Sequence, residues 1–259
     1  HSNYNDKVKY YLDKGNNYPT SLSLALKDIL GYTVNSPNDL LALSYIKEIK
    51  KNNYNINPVA IKRTNNYHSN IIDSNIINAS LIRKLFLDNK DITKYISNYN
   101  LNNLIKIQQD DFFDYLKYQI INNKDNLDKF QTVDEGIENR IIDNINKVTS
   151  WQEMVDVIKT KRYTYNKVNR MLIHILTGLK KEQVKNINID YLRILGFSKI
   201  GQKYLNKMKK NIDIPLCTHY KKGISEILDI ELKITNIYDL KAKRDLVKKE
   251  YSQKPIIRD

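Results

Sequence analysis

Helix-start signals recur along this chain, and each leads into apolar residues spaced three or four apart. That punctuation divides much of the chain into short amphipathic helices, each with one apolar stripe. Tyr18-Pro19-Thr20-Ser21 opens one helix, with Leu22, Leu26 and Ile29 on a stripe and Gly31 just past its end. Ser36-Pro37-Asn38-Asp39 opens a second. Ser36 suits the N-cap, Pro37 the first helical position, and Asp39 completes an S-x-x-D box. Leu40, Leu43, Ile46 and Ile49 then form a stripe to about Lys51. Asn78 caps a third, carrying Leu81, Ile82, Leu85 and Phe86.

Between the second and third helices, Ile56 to Ile61 reads as a short buried strand, and Pro58 places it at an edge or a strand start. Arg63 follows, then a loop from Thr64 to Asn75 that holds Tyr67 and His68. Helix, helix, strand, loop, helix is half of an open α/β sheet. Beyond residue 89 the pattern is helical. Phe112, Phe113, Leu116, Ile120 and Ile121 mark one helix, and Ile137, Ile141, Ile142 and Ile145 another. Ser150 caps Trp151–Ile158, with Glu153 completing an S-x-x-E box. Further helices are expected over 191–195, closed by Gly196, and over 198–210, 224–228 and 237–247. Residues 214–217 read as extended and 253–259 as frayed. The fold class is therefore α/β plus all-α, with 1–88 the sheet-based part and 89–259 a helical domain.

The charge is segregated. The net charge is +14 over 259 residues. From Lys84 to Asp156 there are 13 Asp/Glu against 9 Lys/Arg, whereas Ile158 to Lys210 carries 14 Lys/Arg against 2 Asp/Glu. A local excess of that size is the electrostatic footprint of a nucleic-acid binder. Part of the lysine excess can reflect an AT-rich coding sequence. The stretch IKTKRYTYNKVNRMLIHILTGL concentrates the signal. Lys159, Lys161, Arg162, Lys167 and Arg170 are its candidate phosphate contacts, interleaved with Tyr163 and Tyr165. Either tyrosine could stack on an exposed base; a packed tyrosine is the equal alternative.

Other chemistry is not legible. One cysteine, Cys217, rules out an intrachain disulfide, and four scattered histidines give no zinc spacing. No run is long and apolar enough for a membrane span, so no membrane partner and a cytoplasmic setting are expected. With seven glycines there is no glycine-rich phosphate loop. Asp110 and Asp111 read as a helix cap rather than a metal site, and His174 as a satisfied core histidine. Glu138 and Arg140 read as members of an internal ion-pair network rather than as ligand-facing polar groups. Asn38 at a helix N-terminus and Arg63 at a strand's carboxyl end could both face one nucleotide. The competing reading is a cap helper and a surface cation.

In order, SPNDLLALSYIKEI, INPVAIKR, Tyr67-His68, EGIENRI, IKTKRYTYNKVNRMLIHIL and YLRILGF carry a resemblance. The chain resembles the bacterial tRNA(Met) cytidine acetate ligase family over nearly its whole length, from past the middle of the nucleotide-binding domain onward. The resemblance implies the C-terminal half of a Rossmann-like, HIGH-type nucleotidyltransferase domain, followed by a helical tRNA-binding domain. It implies ATP and acetate as substrates, an acetyl-adenylate intermediate, and elongator tRNA(Met) as the acceptor of N4-acetylcytidine at the wobble position. Mg2+ is left open and no protein-bound metal site is expected. It assigns Asn38, Arg63, Ser80 and Arg83 to ATP. Two departures accompany it. No HxGH motif occurs, so the expectation is a fragment inactive by itself, with the missing segment a candidate separate partner chain. In Ile76–Arg83, Asn78 stands where the family has a serine. The alternative is a non-catalytic RNA-binding module with a vestigial nucleotide fold.

Overall fold

The computed structural model describes residues 2–34, 36–61, 76–96 and 104–258. The chain divides into two compact units, His1–Lys106 and Ile107–Asp259, later than the expected division at 88/89. No helix of the described residues is long and apolar enough to cross a membrane.

The first unit contains α1 (Ser2–Asp13), α2 (Tyr18–Leu30), α3 (Pro37–Lys51) and α4 (Ala79–Leu87). The sequence reading missed α1. It packs along α2 as a hairpin, with Val8 and Ala25 buried. Lys7 and Tyr11 both bond Asp28 of α2, at 3.2 and 2.9 Å. The predicted caps hold at α2 and α4. Gly31 closes α2 at φ 78°, and the Asn78 side chain accepts from Leu81 N–H at 2.8 Å. At α3 the helix starts at Pro37 as expected, but the Ser36 side chain makes no cap bond, so the S-x-x-D box is not formed.

The predicted buried strand at 56–61 is not observed. Val59 is 82% and Ile61 92% exposed, and no strand pairs with this segment among the described residues. An extended segment becomes a strand only by pairing its N–H and C=O groups with a neighbour, and Pro58 has already removed one donor.

The second unit is built on α5 (Phe113–Asn122), α6 (Ile137–Ile145), α7 (Trp151–Ile158) and α8 (Tyr165–Thr177). A 3-10 turn, Gln109–Phe112, precedes α5. Their apolar stripes close one core that includes Phe112, Leu116, Ile120, Ile141, Trp151, Met154, Met171 and Leu172. Ile121 of α5 lies off this core and is 44% exposed. Asp110 and Asp111 are caps, as the sequence suggested. Asp111 accepts from Gln108 N–H, and Asp110 accepts from Trp151 N–H at 2.6 Å, satisfying an orphan donor at the start of α7.

Beyond α8 come α9 (Lys181–Lys185), β1 (Leu192–Arg193), β2 (Gly196–Ser198), α10 (Lys199–Met208), β3 (Leu216–Cys217), α11 (Glu226–Ala242), α12 (Leu246–Ser252) and β4 (Ile256–Arg258). Two parallel ribbons form here. Leu192 pairs with Leu216, and Gly196–Ser198 with Ile256–Arg258. This corrects two expectations: 191–195 is not a helix, and 256–258 is paired rather than frayed. Gly196 is not a helix stop. A Cβ there would lie 2.8 Å from the Ile256 carbonyl oxygen, so the close approach of β4 requires glycine. The two helices expected over 224–228 and 237–247 are one continuous α11 followed by α12. A second, smaller core of Tyr191, Cys217, Tyr220 and Leu228 forms against α11.

Candidate nucleic-acid interface

The segments EGIENRI (135–141) and IKTKRYTY (158–165), separated by α7, meet in the second unit. The turn before α6 is set by left-handed backbone at Thr132 (φ 67°), Glu135 (φ 63°) and Gly136 (φ 79°). For a β-branched threonine this conformation is unfavourable and persists only where the surroundings fix it. The fixing contacts are visible. Gln131 N–H donates to the Leu179 carbonyl at 2.9 Å, and Phe130 bridges to Lys180. His174 Nδ1 lies 3.1 Å from the Gln131 carbonyl oxygen and 3.1 Å from the Thr132 hydroxyl. A carbonyl only accepts, so Nδ1 carries the proton toward Gln131. Burial holds the His174 pKa below its ordinary value, with the Arg170 charge adding to this. His174 is thus the satisfied structural histidine that its apolar setting suggested.

The second segment is a tight turn between α7 and α8. Thr160 N–H donates to the Tyr163 carbonyl, and Tyr163 N–H donates to the Thr160 hydroxyl, both at 3.0 Å. Lys161 and Arg162 are thereby placed at its tip, both exposed. Tyr163 anchors the turn. Its ring is buried, its hydroxyl donates to the Asp134 carbonyl at 2.7 Å, and the Lys167 ammonium sits 4.1 Å above the ring centre. The two acids of the first turn each hold a cation. Arg162 pairs with Glu135 and Lys181 with Asp134, both at 2.7 Å. Exposed pairs of this kind contribute up to about 1 kcal/mol each, so they orient the side chains more than they stabilise the unit.

The predicted residues therefore divide. Arg162, Tyr163 and Lys167 are brought together with Glu135. Lys159, Lys161 and Arg170 are exposed and make no side-chain ion pair among the described residues. Tyr163, expected as a candidate to stack on a base, is a packed core residue with no free ring face. Tyr165 is 41% exposed and its hydroxyl donates to Gln152. Sequence reasoning missed Asp134 and Glu135 as partners of the cations, and no spacing rule would have found them. The Arg140 guanidinium donates to the Val157 carbonyl at 2.7 Å, closing the end of α7 in a structural role.

Tyr163 gives a pH prediction. Burial first, then the Glu135 and Asp134 carboxylates, push its phenol up to about 12. Below about pH 10 the phenol is protonated in both folded and unfolded chains and its contribution is intact. Above that, the unfolded chain releases the proton while the folded one keeps it until about 12, so stability falls through this window. The urea midpoint of the parent should drop between about pH 9 and pH 11. Tyr163→Phe should drop less; equal drops would remove Tyr163 from the alkaline transition.

In the first unit, Asn38 is exposed in the first turn of α3, and Ser80 and Arg83 are exposed in the first two turns of α4. No hydrogen bond joins these three side chains among the described residues. Arg63, Tyr67 and His68 lie outside the described residues. No cluster of His, Cys, Asp and Glu among the described residues could hold a metal ion.

Comparison with known proteins adds three findings. A family model described as HIGH Nucleotidyl Transferase matches residues 1–254. A tRNA(Met) cytidine acetate ligase of Bacillus cereus is 33% identical over 91% of this chain and 66% of its own length. One of Clostridium perfringens is 32% identical over 98% of this chain and 69% of its own. The chain thus spans about two thirds of the length of these curated relatives. Among solved structures, Thermotoga maritima TmcAL in an apo form superposes with a TM-score of 0.84 at 21% identity, covering 99% of this chain and 71% of that one. The same protein bound with alpha-thio ATP gives 0.79 at 21%, over 99% and 70%. At this identity the two structures establish a common fold.

Proposed function

The chain belongs to the tRNA(Met) cytidine acetate ligase family of HIGH nucleotidyl transferases, and from that premise we propose that it serves the ATP-dependent acetylation of elongator tRNA(Met). In this reaction acetate attacks the α-phosphorus of ATP and pyrophosphate leaves, giving acetyl-adenylate. The exocyclic amine of the wobble cytidine then attacks the acetyl carbonyl, loses a proton and expels AMP. Asn38, Arg63, Ser80 and Arg83 are the proposed ATP contacts, the first at a helix N-terminus, where backbone N–H groups favour phosphate oxygens. Lys159, Lys161, Arg162, Lys167 and Arg170 form the proposed tRNA ledge, in a cytoplasmic setting.

The observation that carries the RNA part is the anchored turn at 160–163. A buried tyrosine and two crossed hydrogen bonds fix the backbone of the turn, so the exposed Lys161 is presented without backbone ordering cost, while Arg162 beside it is held by Glu135. The alternative, a non-catalytic RNA-binding module, is favoured by Asn78, whose side chain is committed to capping α4. ATP binding by the chain together with an HxGH segment supports the ligase and its absence supports the module.

The RNA test is binding of elongator tRNA(Met) and of a second tRNA over a salt series, with Lys161→Ala/Arg170→Ala alongside. Two lost phosphate contacts should flatten the slope of log affinity against log salt by about 2 units or slightly less. Tight, tRNA(Met)-preferring binding that the variant weakens is the expected result. Weak binding to both tRNAs, unchanged in the variant, would remove the ledge as an RNA site.

A further inference from the structure

α10 presents Ile200 and Tyr204 to water, with Leu205 and Met208 half-buried. None of its residues is buried, although it carries Ile200, Tyr204, Leu205 and Met208. Ile200 is 80% and Tyr204 61% exposed, one turn apart on the same face. Beside them run Lys203 and Lys207, again one turn apart, and Lys210 in the following 3-10 turn. From Tyr191 to Ile212 there is no Asp or Glu. Lys203, Lys207 and Lys210 make no ion pair among the described residues. A helix of solvated lysines would account for the charge but not for an aromatic ring and an isoleucine held out beside it. The start of the helix is held in place. The Ser198 hydroxyl accepts from Gly201 N–H at 3.0 Å, and the strand that feeds the helix, β2, is paired along its length with β4.

We propose that α10 is a second RNA-contacting surface, in which Tyr204 stacks on an unpaired base and Lys203, Lys207 and Lys210 contact phosphates of the same strand. It rests on the proposed function only in taking RNA as the polyanion. Successive turns of a helix advance about 5.4 Å, which sets the lysines at regular intervals along a single strand. An aromatic ring bordered by cations is the arrangement by which proteins hold single strands without reading sequence. Charge decides against the other occupants. A second copy would bring the same uncompensated lysines face to face, and a membrane surface calls for a broader apolar face than one isoleucine and one tyrosine.

The test follows binding of a labelled single-stranded RNA of about 12 nucleotides and of a tRNA(Met) transcript by fluorescence anisotropy across salt. The altered side chains are exposed, so the variants keep the fold, which circular dichroism checks. Tyr204→Ala should weaken binding of the single strand about tenfold at every salt with an unchanged slope, and Tyr204→Phe should restore it. Lys203→Ala/Lys207→Ala/Lys210→Ala should flatten the slope by about 2 units. Parental affinity and slope in both sets of variants overturn the proposal. So does binding to vesicles of anionic lipid that these variants abolish while RNA binding is kept. Lys161→Ala/Arg170→Ala separates the two surfaces. Loss of RNA in that variant alone leaves the ledge standing and refutes α10. Loss in the α10 variants alone does the reverse, and loss in neither refutes RNA as the partner of both.

Discussion

Trp151→Ala lowers the stability of the Ile107–Asp259 unit by about 3–5 kcal/mol, and its Tm by roughly 10 °C or more. The indole is 2% exposed and three elements meet on it. Its backbone N–H donates to Asp110 before α5, its ring packs within the main core, and its Nε1–H donates to Asn169 of α8 at 2.7 Å. Asn169, itself buried, donates in turn to the Tyr165 carbonyl at 3.1 Å. Truncation therefore opens a cavity and leaves a buried amide oxygen without its donor. Trp151→Phe separates the two effects: it keeps most of the apolar contact and loses the hydrogen bond, for about 1–3 kcal/mol. Trp151 is the only tryptophan, so the series is followed by circular dichroism in urea. A loss below about 1 kcal/mol in the alanine variant would mean that the junction is held elsewhere. The same junction holds the first turns of α8, which carry the proposed tRNA contacts Lys167 and Arg170.

Arg193→Ala costs about 2 kcal/mol. Arg193, on β1, bonds Glu250 of α12 and lies 3.7 Å from Glu231 of α11. Arg193 and Glu250 side chains are each 23% exposed, which raises the pair above a surface contact but leaves water able to screen it. The Glu250 carboxylate also accepts from Thr235 at 3.4 Å, and its backbone carbonyl from Tyr220 N–H at 2.8 Å. Arg193 Nε is buried with no partner, so this guanidinium carries a desolvation cost that its two carboxylates offset. Burial and Glu231 together push the nearby Tyr191 phenol well above its ordinary range, as expected where negative charge is concentrated. Arg193→Lys should recover only part of the loss, since one ammonium cannot span two carboxylates as a planar fork does. In a double-mutant cycle with Glu250→Gln the two losses should fall short of additive by 1 kcal/mol or so. Simple additivity would show that the pair is incidental.

Caps were legible in the sequence because they are local. Gly31, Asn78 and Ser150 each do in the structure what their spacing implied, through one hydrogen bond or one backbone angle. Glu153 is a partial exception: its carboxylate reaches Thr149 N–H at 2.7 Å, one residue upstream of the expected partner. Pairing was not legible. Leu192–Arg193 and Gly196–Ser198 find partners more than twenty residues away, and two or three residues of strand carry no period to detect. The end of α11 was hidden for another reason. Lys243 and Asp245 adopt φ near 50° without glycine, because the Asp239 carboxylate accepts from Arg244 and Leu246 N–H at 3.0 Å. At the ledge, the positions of the cations followed from sequence. Which of them are already paired did not, since Glu135 and Arg162 are joined only by the fold.

One helix touches both cores of the second unit. Leu228 near the start of α11 belongs to the smaller core, and Ile237 further along packs against the larger. Seventeen residues without a break make a rod of about 26 Å. The larger core, which holds Tyr163 of the 160–163 turn, and the smaller core are thus joined through one helix. If RNA occupies both the proposed ledge and the proposed α10 surface, the second contact forms as an intramolecular event at raised effective concentration. An RNA too short to reach both gains none of that avidity. On the proposed reading, an RNA long enough to reach both surfaces is then favoured over a short one before any base is read.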